Sequence, residues 1–375
     1  MSAPARMSFR DLVREVLQTA LRLLPWPTEP GLRKIGNPDE KSPVLVTGNY
    51  DLTVRRLMRA LAGVDAWLVV APSRGINVWC AASGGHLSTH QVVTAMKTSG
   101  IENHVAHRRA TLPQFAATGV RAVEVAKRAG WSVRFGPVYA EQIPAYLAAG
   151  RRKDESMRRV HFGARERAEM AAAWASPSTL LVVLPVALWR PAWGLPLLAL
   201  CWSLAMAVFF LHGRLPLWPR TSLVAGAVVV ATSAVVAAGG SAPALAAAPA
   251  FALLFGGLLT ADMDGSSPTR PASVLDNCTW SIELDRDACV GAFRCWEVCP
   301  EACFEKNEDE RKVSLAHDDR CIRCGACVVQ CPVDALYFRN DDGDRVAPDV
   351  VRRFKLNLLG KRVVGADGED RAAEV

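Results

Sequence analysis

PVLVTGNYDLTVRRLMRALAGVDAWLVVAPSRGINVWCAASGGHLST, residues 43–89, alternates short β-branched runs with helical stretches. Within it, Val44–Thr47 and Ala66–Ala71 are typical of buried strands, and Thr53–Leu61 is typical of a helix. The alternation continues to residue 150 and predicts a doubly wound (Rossmann-like) α/β domain. An eight-fold barrel is excluded, because it needs roughly 250 residues. The further elements are predicted as helices at 90–97, 120–129 and 140–149 and strands at 104–108 and 132–135.

Two segments that follow predicted strands are candidates for a ligand site. Thr47 ends the first strand and Asn49 follows it. Cys80, the only cysteine in the first 200 residues, follows the second strand. The carboxyl ends of parallel strands share one edge of a sheet, so these residues are expected at the same rim. From its neighbours alone, Cys80 is either a small buried apolar residue or a thiolate that binds a metal or an electrophile.

Charged residues are almost absent from residues 171–261. Because a helix crosses a bilayer with about 20 residues, this block predicts a transmembrane domain at 171–263. Its four helices are expected at about 171–189, 191–211, 221–239 and 242–261. The net charge of +7 does not indicate nucleic acid, since much of the basic surplus lies in a juxtamembrane linker, residues 151–170, and is expected to face anionic headgroups.

The same basic residues predict the topology. The linker and the loop at 214–220 are expected on the cytoplasmic side of the membrane, and an even number of spans returns the carboxyl terminus to that side. The sequence therefore predicts a multi-pass protein of the cytoplasmic (inner) membrane with both soluble domains in the cytoplasm. Residues 1–42 form an amphipathic amino-terminal segment, with a helix at about 9–24 that lies on the membrane or on the first domain.

Eight of the eleven cysteines lie between residues 289 and 331. One run has the full spacing of a bacterial ferredoxin, C-x2-C-x2-C-x3-C-P, and ends at Pro332. An incomplete copy lies 32 residues upstream, with Ala292 at the position that corresponds to Cys324. These thiols must stay reduced, which agrees with a cytosolic location. The pattern predicts an α+β two-cluster ferredoxin domain at 277–345, preceded by a linker at 264–276 and followed by a charged tail at 346–375.

In such domains the fourth cysteine of each run ligates the other cluster. One [4Fe-4S] cluster is therefore predicted on four thiolates, those of Cys321, Cys324, Cys327 and Cys299. The second site has three thiolates, those of Cys289, Cys295 and Cys331. Three possibilities stay open for it: a [3Fe-4S] cluster, a [4Fe-4S] cluster completed by Cys303 or Cys278, and loss of the cluster.

The segment Asn77-Val78-Trp79-Cys80-Ala81-Ala82 resembles the cap-helix motif of the corrinoid proteins of microbial mercury methylation, the HgcA family. The similarity extends over roughly residues 37–268, and the family is related to the corrinoid iron–sulfur protein and the delta subunit of CO dehydrogenase/acetyl-CoA synthase. The resemblance implies that Cys80 is the lower axial ligand of cobalt and the catalytic residue. The cofactor, a cobalamin-type corrinoid, is expected to contact Asn77, Val78, Trp79, Cys80, Ala81 and Ala82, with Thr47 and Asn49 as further candidates at the rim.

The carboxyl-terminal half resembles HgcB, the ferredoxin partner of that family, here fused to it. Together the two resemblances imply a corrinoid-dependent methyltransferase that methylates Hg(II) through a Cys80-ligated methylcorrinoid, reduced by its own ferredoxin domain. The implied partners are a methyl donor (a methyltransferase or a methylated pterin), Hg(II) or another soft acceptor, an electron donor for the clusters, and membrane lipid; nucleic acid is not expected.

The sequence departs from these families at three places. Ser83-Gly84 stands where the HgcA motif has Gly-Lys, Ala292 replaces a cluster cysteine, and the tail lacks the cysteine pair common in HgcB. Two alternatives therefore stay open: a corrinoid methyltransferase with a different methyl acceptor, and a membrane-bound iron–sulfur electron-transfer protein without a corrinoid.

Overall fold

The computed structural model describes residues 8–211, 217–237, 240–264, 280–357, 360–364 and 370–372. The chain begins with helix α1 (Phe9–Ala20) and divides into two compact units. The first unit comprises the described residues of Pro25–Val160 and Ser266–Val375. The second comprises those of Met7–Leu24 and His161–Gly265.

A five-stranded sheet is the centre of the α/β domain in the first unit. Its strands are β1 (Gly31–Ile35), β2 (Val44–Gly48), β3 (Ala66–Ala71), β4 (Arg109–Leu112) and β5 (Ser132–Phe135). They are arranged in the order β1-β3-β2-β4-β5, in which β1 pairs antiparallel with β3 and the other pairs are parallel. Strands β2 and β3 are buried along their whole length, which explains their nearly continuous apolar sequences.

Helices cover both faces of this sheet. They are α2 (Asp51–Ala60), α3 (Val78–Ser83), α4 (Thr89–Thr98), α5 (Ala122–Ala129), α6 (Ile143–Ala148) and α7 (Glu155–Arg158), with 3₁₀ turns at Ile101–Asn103, Gln114–Thr118 and Ala140–Gln142. Val44 and Val46 of β2 pack into the core that contains α3, α4 and α5, whereas Leu45 packs with α2 on the opposite face. The predicted α/β domain is confirmed.

Two elements of this domain differ from the expectation. Strand β1 adds an antiparallel edge within the segment for which only an amphipathic helix was predicted. The strand predicted at 104–108 is wrong, since the fourth strand begins at Arg109. Residues before it make loop contacts instead: the Ala106 amide donates to the Glu40 carbonyl, and the His104 ring packs on Trp67 at 4.6 Å.

Apolar helices make up most of the second unit. They are α8 (Ala164–Ser178), continued by a π-helical turn (Thr179–Val183) and α9 (Leu184–Trp189), followed by α10 (Pro191–Leu211), α11 (Leu217–Ala237) and α12 (Ala242–Asp264). In the described part of the chain, three helices are long and apolar enough to cross a membrane: Ala164–Trp189, Pro191–Leu211 and Ala242–Leu259. The apolar stretch of α11, Val224–Val236, is shorter. Four spans were predicted, and part of the loop expected at 214–220 lies outside the described residues.

The ferredoxin-like region has two short helices between antiparallel strands. Its elements are β6 (Trp280–Leu284), α13 (Arg294–Val298), β7 (Phe304–Asn307), β8 (Lys312–Leu315), α14 (Ala326–Gln330), β9 (Leu336–Asn340) and β10 (Arg345–Val346). Strand β9 lies between β6 and β10, and β7 pairs with β8. Strands β6 and β9 thus flank the two cysteine runs.

Regular structure continues into the segment predicted as a charged tail. It comprises α15 (Pro348–Arg353), β11 (Phe354–Asn357), β12 (Gly360–Val364) and β13 (Asp370–Ala372), with the three strands in one antiparallel sheet. Val351 and Lys355 are buried, so this segment packs on the rest of the first unit.

Candidate functional site

Helix α3 presents the thiol of Cys80. Asn77 is the N-cap of this helix: its side-chain oxygen accepts from the Cys80 amide at 3.0 Å, and its side-chain nitrogen donates to the Cys80 sulfur at 3.3 Å. Cys80 is exposed, whereas Ala81 and Ala82 next to it are fully buried. The arrangement therefore holds a soft sulfur donor on an open face, where it could bind a metal.

The loop that leads into α3 is held by Asn49. The side-chain oxygen of Asn49 accepts from the amides of Ser73 at 2.8 Å and Gly75 at 2.9 Å, and its amide donates to the Thr28 carbonyl at 3.0 Å. Gly75 has φ +68°, and a Cβ there would meet the backbone of Pro27 at 2.4 Å. The amide group of Asn49 therefore positions this loop, and its contact with a cofactor stays a prediction.

Two of the remaining predicted residues, Val78 and Trp79, belong to α3, and Thr47 lies on β2. Trp79 packs edge-on against Phe115, with 4.6 Å between ring centroids, and Val78 is buried. Thr47, at the end of β2, is also buried, and its hydroxyl has no hydrogen-bond partner in the described part of the chain. An unpaired buried hydroxyl carries a free-energy cost that a ligand group can remove. The exposed sulfur, the small side chains beside it and this orphan hydroxyl fit a corrinoid bound through Cys80.

Five cysteines line the first cavity of the ferredoxin-like region: Cys299, Cys303, Cys321, Cys324 and Cys327. The structure thus brings together the four thiols predicted for a [4Fe-4S] cluster and adds Cys303. Among the described residues, no group of three His, Cys, Asp or Glu side chains could hold a single metal ion. Together the five thiols border a space of about 340 Å³, open solvent included.

Hydrogen bonds lower the pKa of some of these thiols, and burial raises the pKa of others. A hydrogen bond from the Cys303 thiol lowers the pKa of Cys299 to about 7, and the same single proton, donated instead to Cys321, lowers the pKa of that thiol. Burial raises the pKa of Cys324 and of Cys327. Buried thiolates need compensating positive charge, which the iron of a cluster supplies.

The second cavity is lined by three cysteines, Cys289, Cys295 and Cys331, and by Ala292. The space that it borders, open solvent included, is about 330 Å³, against about 340 Å³ for the first, so the two cavities have a similar size. Burial raises the pKa of Cys295 to about 12. Completion of this site by Cys303 is wrong, because that thiol lines the first cavity, and Cys278 lies outside the described residues.

The backbone around Ala292 repeats the backbone around Cys324. Residues 32 positions apart share the left-handed conformation in three pairs: Gly291 and Arg323 (φ 66° and 56°), Phe293 and Gly325 (56° and 72°), and Ala302 and Asp334 (52° and 56°). The amides of Cys303 and Ala335, also 32 apart, both donate to a cysteine sulfur at 3.3 Å. The loop therefore keeps a cluster-binding backbone and lacks only the thiol.

The ferredoxin-like region packs on the α/β domain through the 3₁₀ turn Gln114–Thr118 and the residues that follow it. The Gln330 side chain on α14 donates to the carbonyls of Ala117 at 2.8 Å and Val120 at 2.6 Å, and accepts from the Ala122 amide at 3.2 Å. Cys324 belongs to the same apolar core as the central sheet. The five-cysteine cavity is thus adjacent to the domain that bears Cys80. Neither apolar periodicity nor motif spacing pointed to Gln330.

Two basic residues of the predicted juxtamembrane linker belong to this interface. The Lys153 ammonium donates to the Gln114 side chain at 2.8 Å and the Glu297 carbonyl at 2.6 Å. Arg158 is buried, donates to the Trp296 carbonyl at 2.6 Å and lies 3.8 Å from the centroid of that ring. The expectation that these side chains face headgroups is wrong, because they satisfy the free carbonyls at the end of α13.

Comparison with known proteins gives two family matches. Residues 12–147 match the family described as CO dehydrogenase/acetyl-CoA synthase delta subunit, and residues 317–337 match the 4Fe-4S binding domain. The first match includes α3 and Cys80, and the second includes Cys321, Cys324, Cys327 and Cys331.

Several curated relatives are gamma subunits of the acetyl-CoA decarbonylase/synthase complex. That of Methanopyrus kandleri is 38% identical over 125 residues, which are 33% of this chain and 27% of the relative. That of Archaeoglobus fulgidus is 30% identical over 152 residues, 38% of this chain and 32% of the relative. The chain therefore spans about a quarter to a third of the length of these relatives. Residues 12–147 are thus similar to the delta-subunit family of CO dehydrogenase/acetyl-CoA synthase, and the same polypeptide carries a carboxyl-terminal region similar to 4Fe-4S binding domains.

Proposed function

We propose that this chain is a membrane-anchored corrinoid iron–sulfur protein that transfers methyl groups, with Cys80 as the axial thiolate ligand of cobalt. The observation that carries the proposal is the exposed Cys80 sulfur, held by Asn77 within the segment that matches the delta-subunit family. The corrinoid would be held by the α3 segment Asn77–Ala82 and by Thr47 and Asn49 at the rim of the sheet.

Four residues of the α3 segment have distinct parts in this proposal: Asn77, Cys80, Ala81 and Ala82. When bound, the corrinoid supplies a cobalt centre that takes up a methyl group and releases it to an acceptor, and a soft thiolate donor favours that release. Asn77 holds the Cys80 sulfur in position. Ala81 and Ala82 are small and fully buried, so neither side chain projects from the face that bears the sulfur.

The arrangement of the two cysteine sets supports a direction for electron delivery. A [4Fe-4S] cluster on Cys299, Cys321, Cys324 and Cys327 would lie next to the α/β domain, because Cys324 is part of that domain's core. A cluster held by Cys289, Cys295 and Cys331, which belong to the core of the ferredoxin-like region, would supply a second redox centre. The Gln330 and Lys153 contacts would keep the two domains at a fixed separation.

For the acceptor we propose Hg(II), with another soft electrophile as the alternative. The proposal rests on the resemblance of Asn77–Ala82 to the mercury-methylation motif. The departure from that motif at Ser83 lies on the inner side of α3: Ser83 is buried, and its hydroxyl is 3.4 Å from that of Thr118. The change at Ser83 therefore affects packing beneath α3. The methyl donor would be a methyltransferase or a methylated pterin.

Membrane anchoring completes the proposal. The three long apolar helices support insertion, and with α11 as a fourth span the basic residues and the even number of spans would put both soluble domains in the cytoplasm. In that orientation the cluster thiols remain in a reducing compartment. The protein would be a multi-pass protein of the cytoplasmic membrane.

Reconstitution with cobalamin tests the central claim. Protein purified anaerobically in detergent should retain the corrinoid and show the absorption spectrum of a thiolate-ligated cobalt, and Cys80→Ala should abolish it. Cys201→Ala is the matched control, since this cysteine is buried among the apolar helices and should leave the spectrum unchanged. A wild type that retains no corrinoid would refute methyl transfer and leave an electron-transfer protein. Methylmercury formation in cells, compared with Cys80→Ala, then tests the acceptor.

A further inference from the structure

Helix α1 is packed with its polar side inward. Glu15 and Gln18 are buried, at 8% and 0% exposure. The apolar side chains lie on the opposite side and are 40–79% exposed: Phe9, Leu12, Val13, Val16 and Leu17. A helix on a water-soluble protein buries its apolar stripe, so this arrangement is the reverse of what an aqueous surface favours.

The polar side of α1 faces a helix of the apolar unit. α1 packs against α8, and Arg22, just after α1, forms an ion pair with Glu169 of α8 at 3.7 Å. α8 continues without interruption into a segment long and apolar enough to cross a membrane. The contact therefore joins α1 to the part of α8 that precedes its most apolar stretch, at the level where a membrane surface would lie.

The basic residues of α1 are placed as expected for a helix at a membrane surface. Arg10 and Arg14 are exposed and lie at helical positions between the apolar face and the buried polar face. Basic side chains at the margin of an apolar stripe can reach lipid phosphates while the stripe enters the acyl region. The helix also has a stable start, because Ser8 and Asp11 form a reciprocal capping box.

We infer that α1 is an interfacial helix that lies along the membrane surface, with Phe9, Leu12, Val13, Val16 and Leu17 among the lipid acyl chains. The occupant of the apolar face is lipid, because the face is directed away from its own unit and the polar side is already fixed to α8. The inference rests on the membrane insertion included in the proposed function.

Site-specific photocrosslinking of the full chain tests this placement. The protein would be reconstituted in nanodiscs of phosphatidylcholine and phosphatidylglycerol, with benzoylphenylalanine in place of Val16, of Gln18 or of Leu195. Val16, on the apolar face, should give lipid adducts. Gln18, on the buried polar face, should give adducts within the chain, on α8. Leu195 of α10 is 75% exposed and reports insertion of the apolar helices independently of α1.

The outcomes separate this inference from the proposal it rests on. Lipid adducts at Leu195 without lipid adducts at Val16 would overturn the interfacial placement and leave membrane anchoring intact. Adducts from Val16 to a second copy of the chain, or to the α/β domain, would identify a protein partner for the face and equally overturn it. Absence of lipid adducts at both positions would refute insertion itself.

A second test uses the exposure of the apolar face. Val16→Glu replaces a side chain that is 58% exposed, so the fold should tolerate it, but it places a carboxylate where we infer acyl chains. Crosslinks from the Leu12 position to lipid should fall several-fold in this variant, whereas Val16→Leu should retain them. Equal lipid crosslinking in the two variants would contradict an acyl environment for α1.

Discussion

Asn77 donates a hydrogen bond from its side-chain nitrogen to the sulfur of Cys80 at 3.3 Å, while its oxygen accepts from the Cys80 amide at 3.0 Å. One side chain therefore caps α3 and contacts the thiol that the helix presents. The cap and the sulfur contact use different atoms, so substitution can remove one and keep the other.

Asn77→Asp should keep the cap and remove the donor to sulfur. We expect alkylation of Cys80 by iodoacetamide to slow several-fold, because the carboxylate repels the reactive thiolate. Asn77→Ala should also slow it, and should destabilise α3 by about 1 kcal/mol through loss of the cap. The rate is measured by mass spectrometry of the Cys80 peptide. Unchanged rates in both variants would show that the contact has no effect on the thiol.

Ala292→Cys should restore a fourth thiolate at the second cavity. The loop already has the backbone of the Cys324 loop, and the cavity has nearly the same volume as the first. If the second site holds a [3Fe-4S] cluster, we expect the iron content of the anaerobically reconstituted protein to rise by about one atom per chain, since that cluster gains its fourth iron. The cluster type is then read by electron paramagnetic resonance and Mössbauer spectroscopy.

Val290→Cys is the control for this prediction. It adds a thiol to the same loop at the position that corresponds to Ile322, which is not a predicted ligand. Its iron content should stay at the wild-type value. A gain of iron in Val290→Cys equal to that in Ala292→Cys would mean that any nearby thiol serves, and that the 32-residue repeat does not define the site.

The features predicted from the sequence are those that leave a periodic or spaced signal. The continuous apolar runs of β2 and β3 predicted buried strands, and the cysteine spacing predicted which thiols share a cavity. Gln330 and Lys153 left no such signal, because a single polar residue gains a partner only when distant segments meet. The amphipathic pattern of α1 predicted a helix with two faces but not which one would be buried. Cys303 was one of two candidates to complete the second site, and the structure places it at the first cavity, because spacing alone does not distinguish the two sites.

Gln330→Leu should weaken the contact between the ferredoxin-like region and the α/β domain. The change leaves the carbonyls of Ala117 and Val120 and the Ala122 amide without their side-chain partner in a buried contact. Each unsatisfied buried group costs about 1–3 kcal/mol, so we expect a loss of several kcal/mol. Hydrogen exchange should increase in the turn Gln114–Thr118.

Gln330→Glu separates hydrogen bonding from packing in this test. It keeps the size of the side chain but sets a carboxylate against two carbonyl oxygens, so exchange should increase at least as much as in Gln330→Leu. Exchange in the strands β2 and β3 should stay near the wild-type rate in both variants. Wild-type protection of the turn in either variant would contradict the structural part assigned to this residue.

Lys355 should make stability depend on pH. Its ammonium is buried and donates to the carbonyls of Thr118 at 2.9 Å and Val351 at 3.1 Å. Burial, together with the nearby charge of Arg352, lowers its pKa from 10.5 to about 8. Between these values the unfolded chain binds more protons than the folded one, so stability rises with pH. The penalty, about 3 kcal/mol below pH 8, should vanish by pH 10.5.

Lys355→Met isolates this contribution. The unfolding midpoints of the variant and the wild type are measured by urea titration in detergent. As the pH is raised from 8 to 10.5, the midpoint of the wild type should increase relative to that of the variant. Other lysines contribute equally to both proteins and cancel. A difference that is constant across this range would mean that Lys355 titrates at its ordinary pKa in the folded protein.

Cys303→Ala should make the first cluster harder to reduce. The Cys303 thiol lines the same cavity as the four predicted ligands and is placed to donate its one proton to the sulfur of Cys299 or of Cys321. Hydrogen bonds to cluster sulfurs stabilise the reduced, more negative cluster and raise its potential. Alanine is also the residue that the repeat places at this position, Ala335, so the fold should accept it. We expect a more negative midpoint potential in a redox titration followed by electron paramagnetic resonance.

Cys303→Ser separates hydrogen bonding from iron ligation, because its hydroxyl restores a hydrogen-bond donor without restoring a strong iron ligand. If Cys303 acts by hydrogen bonding, the serine variant should return the potential toward the wild-type value, and all three proteins should bind the same amount of iron. If Cys303 were itself a ligand, the alanine variant would lose iron and the serine variant would not recover it fully. Equal potentials in the wild type and Cys303→Ala would show instead that the fifth thiol only fills space beside the cluster.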